Sequence, residues 1–182
     1  MWLKENDAAD SALEAGWDIP VVSTLQQALE ATVEHSGSSE RTSIDNETLT
    51  ATANDTSVII VTAGGDFNLT DDIIVKHGFS TNLWEASFWG MNTAVNIQNT
   101  SVSYITDINV TTHNGAGNIY AYGSETVVHV DGAWLHSSGA AAHGLMHLVT
   151  ERLLRPVCVI ILGEAAARPS LVIYTVRNPL MI

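Results

Sequence analysis

Apolar and polar residues alternate in short runs along the middle of the chain, and these runs recur at fixed spacing. Ile59 and Val61 are followed 36 residues later by Val95 and Ile97. Two further columns of aliphatic residues recur at intervals of 36 and then 25 residues: Leu69, Ile105 and Val130, and Ile74, Val110 and Leu135. Alternation with a period of two is typical of β-strands, and a repeat near 25 residues is typical of a solenoid.

The repeat predicts an all-β fold, a right-handed parallel β-helix with three short strands and three turns in each coil. We expect three to four coils over residues 49–147, with equivalent residues stacked about 4.8 Å apart. The same alignment places Tyr120 and Tyr122 in the inward columns of Ile59 and Val61. A β-sandwich is the structural alternative, but its short strands do not need a common period.

Residues 1–48 are predicted to form an N-terminal segment with a capping helix. Ser23 and Gln26 form a capping box at the start of an amphipathic helix over Leu25–Glu34, which ends at Ser36-Gly37. The first coil of a solenoid exposes an unpaired strand edge and part of its core, and a helix laid across it covers both. A polar linker over Ser38–Asn46 would then lead into the coils.

Residues 148–182 form an atypical tail in which the repeat stops and the charge changes sign. The net charge of the whole chain is −13, while residues 1–147 carry −15 and residues 148–182 carry +2. Codon degeneracy allows Thr150–Gly163 to be read one nucleotide earlier as DGTIVASGVRHYSGG, which resembles a further coil. We therefore predict that the tail is translated out of frame and that the solenoid is truncated near residue 148. The alternative is a capping or partner segment, in which Leu153–Leu162 forms an apolar strand or helix that covers the last coil.

Charge and cysteine content exclude several classes of partner and site. An acidic surface repels phosphate backbones and anionic lipid, so we expect no nucleic-acid partner. Apolar runs fall short of the ~18–20 residues of a membrane span, so we expect none. The one cysteine, Cys158, lies in the tail, which leaves the coils without a disulfide or a cysteine metal site. The oligomeric state is left open.

Sequons favour a secreted or cell-wall protein. The N-x-[ST] pattern marks candidate glycosylation sites, although strands and turns rich in Asn and Thr also produce it by chance. The first 20 residues contain acidic side chains and no apolar run, so we expect the signal peptide to lie outside this chain. The five sequons are at Asn46, Asn54, Asn68, Asn99 and Asn109.

An aromatic insertion of 11 residues accounts for the difference between the two repeat intervals. It lies within Phe79–Met91, which reads FSTNLWEASFWGM. In one interpretation Trp84 and Trp89 stack on pyranose rings while Glu85 binds sugar hydroxyls. In the other, the loop folds back and its aromatic side chains cover the flank of the solenoid.

Two segments, WEASFWGMNTAVNIQ and GNIYAYGSETVVHVDGAWLHSSGAAAHGL, resemble uncharacterised secreted β-helix proteins of fungi and their bacterial relatives of pectin-lyase-like architecture. The resemblance covers roughly residues 50–147. It implies the β-helix fold, and bacterial members are commonly described as adhesin-like or carbohydrate-binding. It implies no catalytic residues for this chain.

An enzyme is the alternative, because pectin-lyase-like solenoids also host polysaccharide lyases and glycoside hydrolases. The resemblance implies Ca²⁺ and an Arg or Lys base for a lyase, yet Arg41 and Lys76 are the only basic residues near or in the coils. Asp71 and Asp107 align one coil apart, but at turn positions where Asp commonly bonds the backbone. Together with Asp72 they could hold a weak Ca²⁺. We expect no catalytic residue, metal or cofactor.

Two histidines, His77 and His113, fall at equivalent positions of successive coils and are expected to stack. They could form half of a zinc site, but the sequence indicates no third ligand. We therefore interpret them as exposed turn residues.

These patterns favour a non-enzymatic extracellular module that is carbohydrate-binding or adhesive, with a polysaccharide or cell-wall glycan as its partner. The alternatives are a lyase or glycoside hydrolase of pectin-lyase-like fold, and a non-functional truncated gene product.

Genomic or transcript sequence around residue 148 tests the reading-frame prediction. We expect the alternative frame to continue the coil pattern, because its turns and alternating strand match those of the preceding coil. An open reading frame that runs without interruption from Leu148 into the tail would contradict the prediction.

Overall fold

The structure, a computed structural model, describes residues 25, 27–37, 40–114, 117–138, 143–148 and 159–163. Every strand pair among these residues is parallel, and the strands form three sheets. Sheet A contains β1 (Glu30–Ser36), β4 (Thr56–Thr62), β7 (Val95–Gln98), β10 (Ile119–Tyr122) and β13 (Leu145–Leu148). Sheet B contains β2 (Thr42–Asp45), β5 (Asp66–Thr70), β8 (Val102–Thr106), β11 (Val127–Asp131) and β14 (Val159–Gly163). Sheet C contains β3 (Thr48–Ala51), β6 (Ile73–Lys76), β9 (Asn109–Thr112) and β12 (Trp134–Ser137).

Successive strands pass from sheet A to sheet B to sheet C and then return to sheet A one level higher. The chain is therefore a parallel β-solenoid of about four turns, as the repeat predicted. Strand β14 lies within the atypical tail and continues sheet B beside β11. Within the described residues, no helix is long and apolar enough to cross a membrane.

Inward-facing aliphatic side chains stack in columns and form the core. In sheet B the column Leu69, Ile105 and Val130 pairs as predicted, and in sheet C so does the column Ile74, Val110 and Leu135. Five of these six residues are at most 3% exposed, and the sixth, Leu135, is partly buried. Full burial of such a side chain contributes about 1.5–3 kcal/mol, so each residue of these columns stabilises the fold.

The solenoid begins one coil earlier than the sequence predicted. The predicted helix over Leu25–Glu34 is wrong, because no described residue from 25 to 36 is helical and Glu30–Ser36 forms β1. Strand β1 alternates between exposed and half-buried residues and pairs with β4, whose edge would otherwise be open. Pairing with a distant strand outweighs the local helix signal. Strand β2 likewise occupies part of the predicted linker.

The pairing of β7 with β10 differs from the predicted alignment by one residue. Val95 pairs with Ile119 and not with Tyr120, and Ile97 pairs with Ala121. A one-residue shift moves every side chain to the other face of the sheet, so Tyr120 points outward. The turn after β10 holds four residues, 123–126, where the turn after β7 holds three, 99–101, and this restores the 25-residue spacing in sheets B and C.

A column of left-handed residues turns the chain between sheets B and C. Asn46, Asp71 and Asp107 have φ values of 56°, 56° and 52°, and Gly132 follows at 69°. Asn and Asp tolerate this conformation better than other side chains, as does glycine. The backbone amides of Asp71 and Asp107 each donate to a carbonyl of the next coil, at 3.1 and 2.8 Å. The prediction that both aspartates are turn residues is confirmed.

One lysine lies inside the solenoid. Lys76 is fully buried at the end of β6, and its Nζ donates to the carbonyl oxygen of Ala53 at 2.9 Å. Burial lowers the pKa of Lys76 from 10.5 to about 8. On the outer face of sheet A, burial raises the pKa of the Tyr120 hydroxyl well above its usual 10.0, with a smaller contribution from Tyr122.

These two groups predict how stability depends on pH. Between about pH 8 and 10.5 the unfolded chain keeps the Lys76 proton that the folded chain has lost, so the free energy of unfolding rises with pH, by on the order of 3 kcal/mol over the full interval. Above about pH 10 the unfolded chain loses the Tyr120 proton that the folded chain keeps, so stability falls. Urea unfolding from pH 7 to 11 should therefore show a maximum near pH 10.

The variant Lys76→Met isolates the rising limb, because it keeps the length of the side chain and removes its titration. We expect this variant to lose the rise between pH 8 and 10 and to keep the fall above pH 10. A rise of unchanged size in the variant would show that Lys76 is not its source.

Candidate functional site

The aromatic insertion forms a short helix, α1 (Leu83–Trp89), which the sequence analysis treated as a loop. Asn82 begins the helix: its side chain accepts hydrogen bonds from the backbone amides of Trp84 and Glu85, both at 3.1 Å. Gly90 ends the helix in the left-handed conformation, with φ 69°. Asn before a helix and Gly after it are standard start and stop signals, and they were visible in the sequence.

Polar side chains of sheet A bind the C-terminal end of α1. The Asn96 side-chain nitrogen donates to the carbonyl oxygens of Gly90 at 2.8 Å and Trp89 at 3.2 Å, and the Gln98 nitrogen donates to Trp89 at 2.9 Å. The last carbonyls of a helix have no partner within the helix, so these bonds satisfy groups that would otherwise need water. Asn96 is fully buried by this contact.

Tyr120 explains both the position of α1 and the shifted register of sheet A. Its hydroxyl donates to the carbonyl oxygen of Ser87 at 3.1 Å, and its ring packs against Gly90. A tyrosine facing the narrow interior of the solenoid would have to find a partner for its hydroxyl among aliphatic side chains. On the outer face it is 2% exposed and hydrogen-bonded.

The start and the end of the insertion are also held in place. Thr81 donates to the Asp55 carboxylate through its backbone amide at 2.7 Å and through its hydroxyl at 2.6 Å. The Asn92 side-chain nitrogen donates to the carbonyl oxygen of Gly78 at 3.0 Å, which links the two ends of the insertion. The insertion therefore folds back on the solenoid.

The same helix presents aromatic side chains on its outer side. Trp84 and Phe88, one turn apart, stack with ring centroids 5.7 Å apart and planes at 10°. Trp89 meets Phe88 edge-on, with centroids 6.2 Å apart and planes at 64°. Phe88 is 38% exposed, and the two tryptophans are half-buried. We call Trp84, Phe88 and Trp89 the aromatic surface.

The structure thus brings together Trp84 and Trp89 of the predicted site but separates Glu85 from them. Glu85 is fully buried, and its Oε1 accepts a hydrogen bond from the backbone amide of Gln27 at 3.3 Å. Sequence reasoning did not assign Phe88 to the site. The four-residue spacing from Trp84 to Phe88 places the two side chains on one face of a helix and was the signal that could have identified it.

The five sequon asparagines occupy different environments. Asn46, Asn54, Asn99 and Asn109 are exposed and Asn68 is half-buried. The Asn99 side-chain nitrogen donates to the Thr62 hydroxyl at 2.9 Å. The Asn68 side-chain oxygen is shielded from solvent.

Of the three aspartates near the corner between sheets B and C, Asp72 binds the backbone through its carboxylate. Asp71 and Asp107 are exposed, and Asp107 packs over Gly132 of the next coil. Asp72 is 1% exposed and accepts from the backbone amides of Glu47 at 2.9 Å and Thr70 at 3.0 Å. Burial raises the pKa of Asp72, and these two hydrogen bonds act in the opposite direction.

The predicted histidine stack is confirmed. The rings of His77 and His113 are parallel within 2°, with centroids 4.9 Å apart. Among the described residues, no group of three or more His, Cys, Asp or Glu side chains is arranged to hold a metal ion.

Comparisons with protein-family models, with curated proteins and with solved structures gave no match for this chain. The parallel β-solenoid of about four turns is therefore established by the structure, and the resemblance to pectin-lyase-like proteins stays a hypothesis.

Two glycines test whether α1 depends on close contact with sheet A. Gly90 and Gly123 both have positive φ, 69° and 92°. A Cβ at Gly90 would overlap the Tyr120 ring and lie 2.8 Å from the Asn96 side-chain nitrogen, whereas a Cβ at Gly123 would meet nothing closer than 3.6 Å. Both alanine variants carry the left-handed strain of about 1–2 kcal/mol.

We expect Gly90→Ala to lose more free energy of unfolding than Gly123→Ala and to speed hydrogen exchange at the amides of α1. Gly123→Ala is the matched control and should leave exchange in α1 unchanged. Equal losses in the two variants, with α1 still protected, would show that the contact with Tyr120 does not hold the helix.

Proposed function

We propose that the protein is a non-enzymatic extracellular β-solenoid that binds polysaccharide through its aromatic surface. The observation that carries this proposal is the parallel stack of Trp84 and Phe88 on a helix that is anchored at both ends. Aromatic side chains pack against the apolar faces of pyranose rings, and Phe88, at 38% exposed, is the most accessible ring of the aromatic surface.

Rigidity of the aromatic surface supports the proposal. Side chains of Asn96, Gln98 and Tyr120 bind the carbonyls of α1, and Asp55 binds the segment ahead of it. A surface that is already ordered loses little conformational entropy on binding, which favours affinity. In this proposal Glu85 does not contact the sugar; it is a positioning residue that joins α1 to the backbone of Gln27.

Charge narrows the class of ligand. The chain carries a net charge of −13, so a polyuronate or a sulfated polymer would be repelled. We therefore propose a neutral polysaccharide, such as a structural glucan of a cell wall. A hydrolase would need a pair of carboxylates such as Asp71 and Asp107. Both are turn residues between sheets B and C, and we assign them no catalytic role.

Binding of the full chain to a glycan array that contains neutral polysaccharides tests the proposal. We expect Trp84→Ala and Phe88→Ala each to weaken binding by about tenfold or more, since loss of a central aromatic contact typically costs over 1 kcal/mol. Tyr104→Ala is the matched control, because it removes an exposed aromatic side chain from sheet B, away from α1, and should leave binding unchanged.

Circular dichroism would establish that each variant keeps its fold. Failure of the unmodified chain to bind any neutral glycan, or equal binding by all three variants, would refute a role for the aromatic surface.

A further inference from the structure

The outer face of sheet C carries no Asp, Glu, Lys or Arg side chain, although the protein is strongly acidic. The outward side chains of β3, β6, β9 and β12 are Thr, Ile, Val, Asn, Trp and His, while Lys76 points inward. Ile73 is 47% exposed and Trp134 is 44% exposed, the two highest values among the exposed large hydrophobic residues described. Exposed apolar side chains gathered on one face usually mark a surface that something else covers.

Asn109 lies between these two apolar residues. It pairs with Ile73 on one neighbouring coil and with Trp134 on the other, so the three side chains form one outward row. Adjacent strands are about 4.8 Å apart, which places both apolar side chains within reach of any group attached to Asn109.

The sequon at Asn109 also has suitable geometry in the folded protein. Val110 points inward and is fully buried, while Asn109 and Thr111 share the outer face. In contrast, the nitrogen of Asn99 donates to Thr62, and the amide oxygen of Asn68 is shielded from solvent.

The two other sequon asparagines, Asn46 and Asn54, lie at turns between strands. Asn109 is thus the one sequon asparagine that lies between exposed apolar side chains of both adjacent coils.

We propose that Asn109 carries an N-linked glycan whose first sugars pack on Trp134 and Ile73 and cover the outer face of sheet C. The indole of Trp134 is parallel to the His136 ring within 12°, with centroids 5.6 Å apart, which holds the indole in a defined orientation. A pyranose ring stacks on such a face, and the outer sugars keep the surface hydrated. The proposal uses the secreted location of the proposed function but does not depend on the aromatic surface of α1.

The attachment is a group transfer from a lipid-pyrophosphate-linked oligosaccharide, the donor of the secretory pathway. A bond forms between Asn109 Nδ2 and C1 of the first sugar as the bond between C1 and the pyrophosphate oxygen breaks. The amide nitrogen loses one of its two protons to a basic group of the transferring enzyme, and the lipid pyrophosphate leaves with the electron pair.

Secretion of the full chain from eukaryotic cells behind an added signal peptide, followed by peptide mass spectrometry, tests the site. We expect Asn109 to be occupied. Hydroxyl-radical oxidation of Trp134 should be at least about twofold slower than in Thr111→Val, because a stacked sugar removes an indole face from water. The slower oxidation of Trp134 should persist after an endoglycosidase trims the glycan to its first sugar.

The variant Asn46→Gln is the matched control, since it removes a sequon at a corner and should leave Trp134 protection unchanged. An unmodified Asn109, or equal oxidation of Trp134 with and without its glycan, would overturn the proposal. Protection of Trp134 in a dimer of the Thr111→Val chain would also overturn it, because a second copy would then be the occupant. Loss of glycan-array binding leaves this result untouched, so the two proposals can fail separately.

Discussion

Parallel pairing of each coil with the coils above and below is the interaction on which this structure depends. A coil of about 25 residues cannot bury its own apolar side chains, so its core and the hydrogen bonds of its strands form between levels. The column of Leu69, Ile105 and Val130 is an example, since each side chain packs on the equivalent side chain of the neighbouring coil. The same rule orders the surface, where the rings of Tyr104 and His129 stack with centroids 4.5 Å apart and the Arg41 guanidinium lies 5.1 Å from the Tyr104 ring centroid.

The regular stack also explains how one coil tolerates an insertion. Extra residues placed at a corner do not disturb the paired strands, provided that their own polar groups find partners. Outward side chains of sheet A supply those partners for α1, since Asn96, Gln98 and Tyr120 bind its carbonyls. The helix that results holds Trp84 and Phe88 in a parallel stack, the feature from which the sugar-binding proposal is argued.

The outer faces of sheets A and C differ in what covers them. Sheet A is covered by α1, a part of the chain itself, and its outward residues Asn96 and Tyr120 are buried. Within the described residues, no element of the chain covers the outer face of sheet C at Ile73 and Trp134, which are the most exposed large apolar side chains. A glycan at Asn109 would cover the outer face of sheet C, as α1 covers the outer face of sheet A.

The sequence by itself determined the parallel solenoid, the aliphatic columns of sheets B and C, the corner aspartates and the stack of His77 on His113. Each of these features follows from residues that recur at the spacing of the repeat. Only the tertiary structure decided that Glu30–Ser36 is a strand, that β10 pairs one residue away from the alignment, and that Glu85 is buried. Each of these outcomes rests on a contact between residues far apart in sequence, such as Tyr120 with Ser87 or Gln27 with Glu85. Local propensity differs by less than such contacts contribute, so the distant partner and not the local pattern selects the conformation.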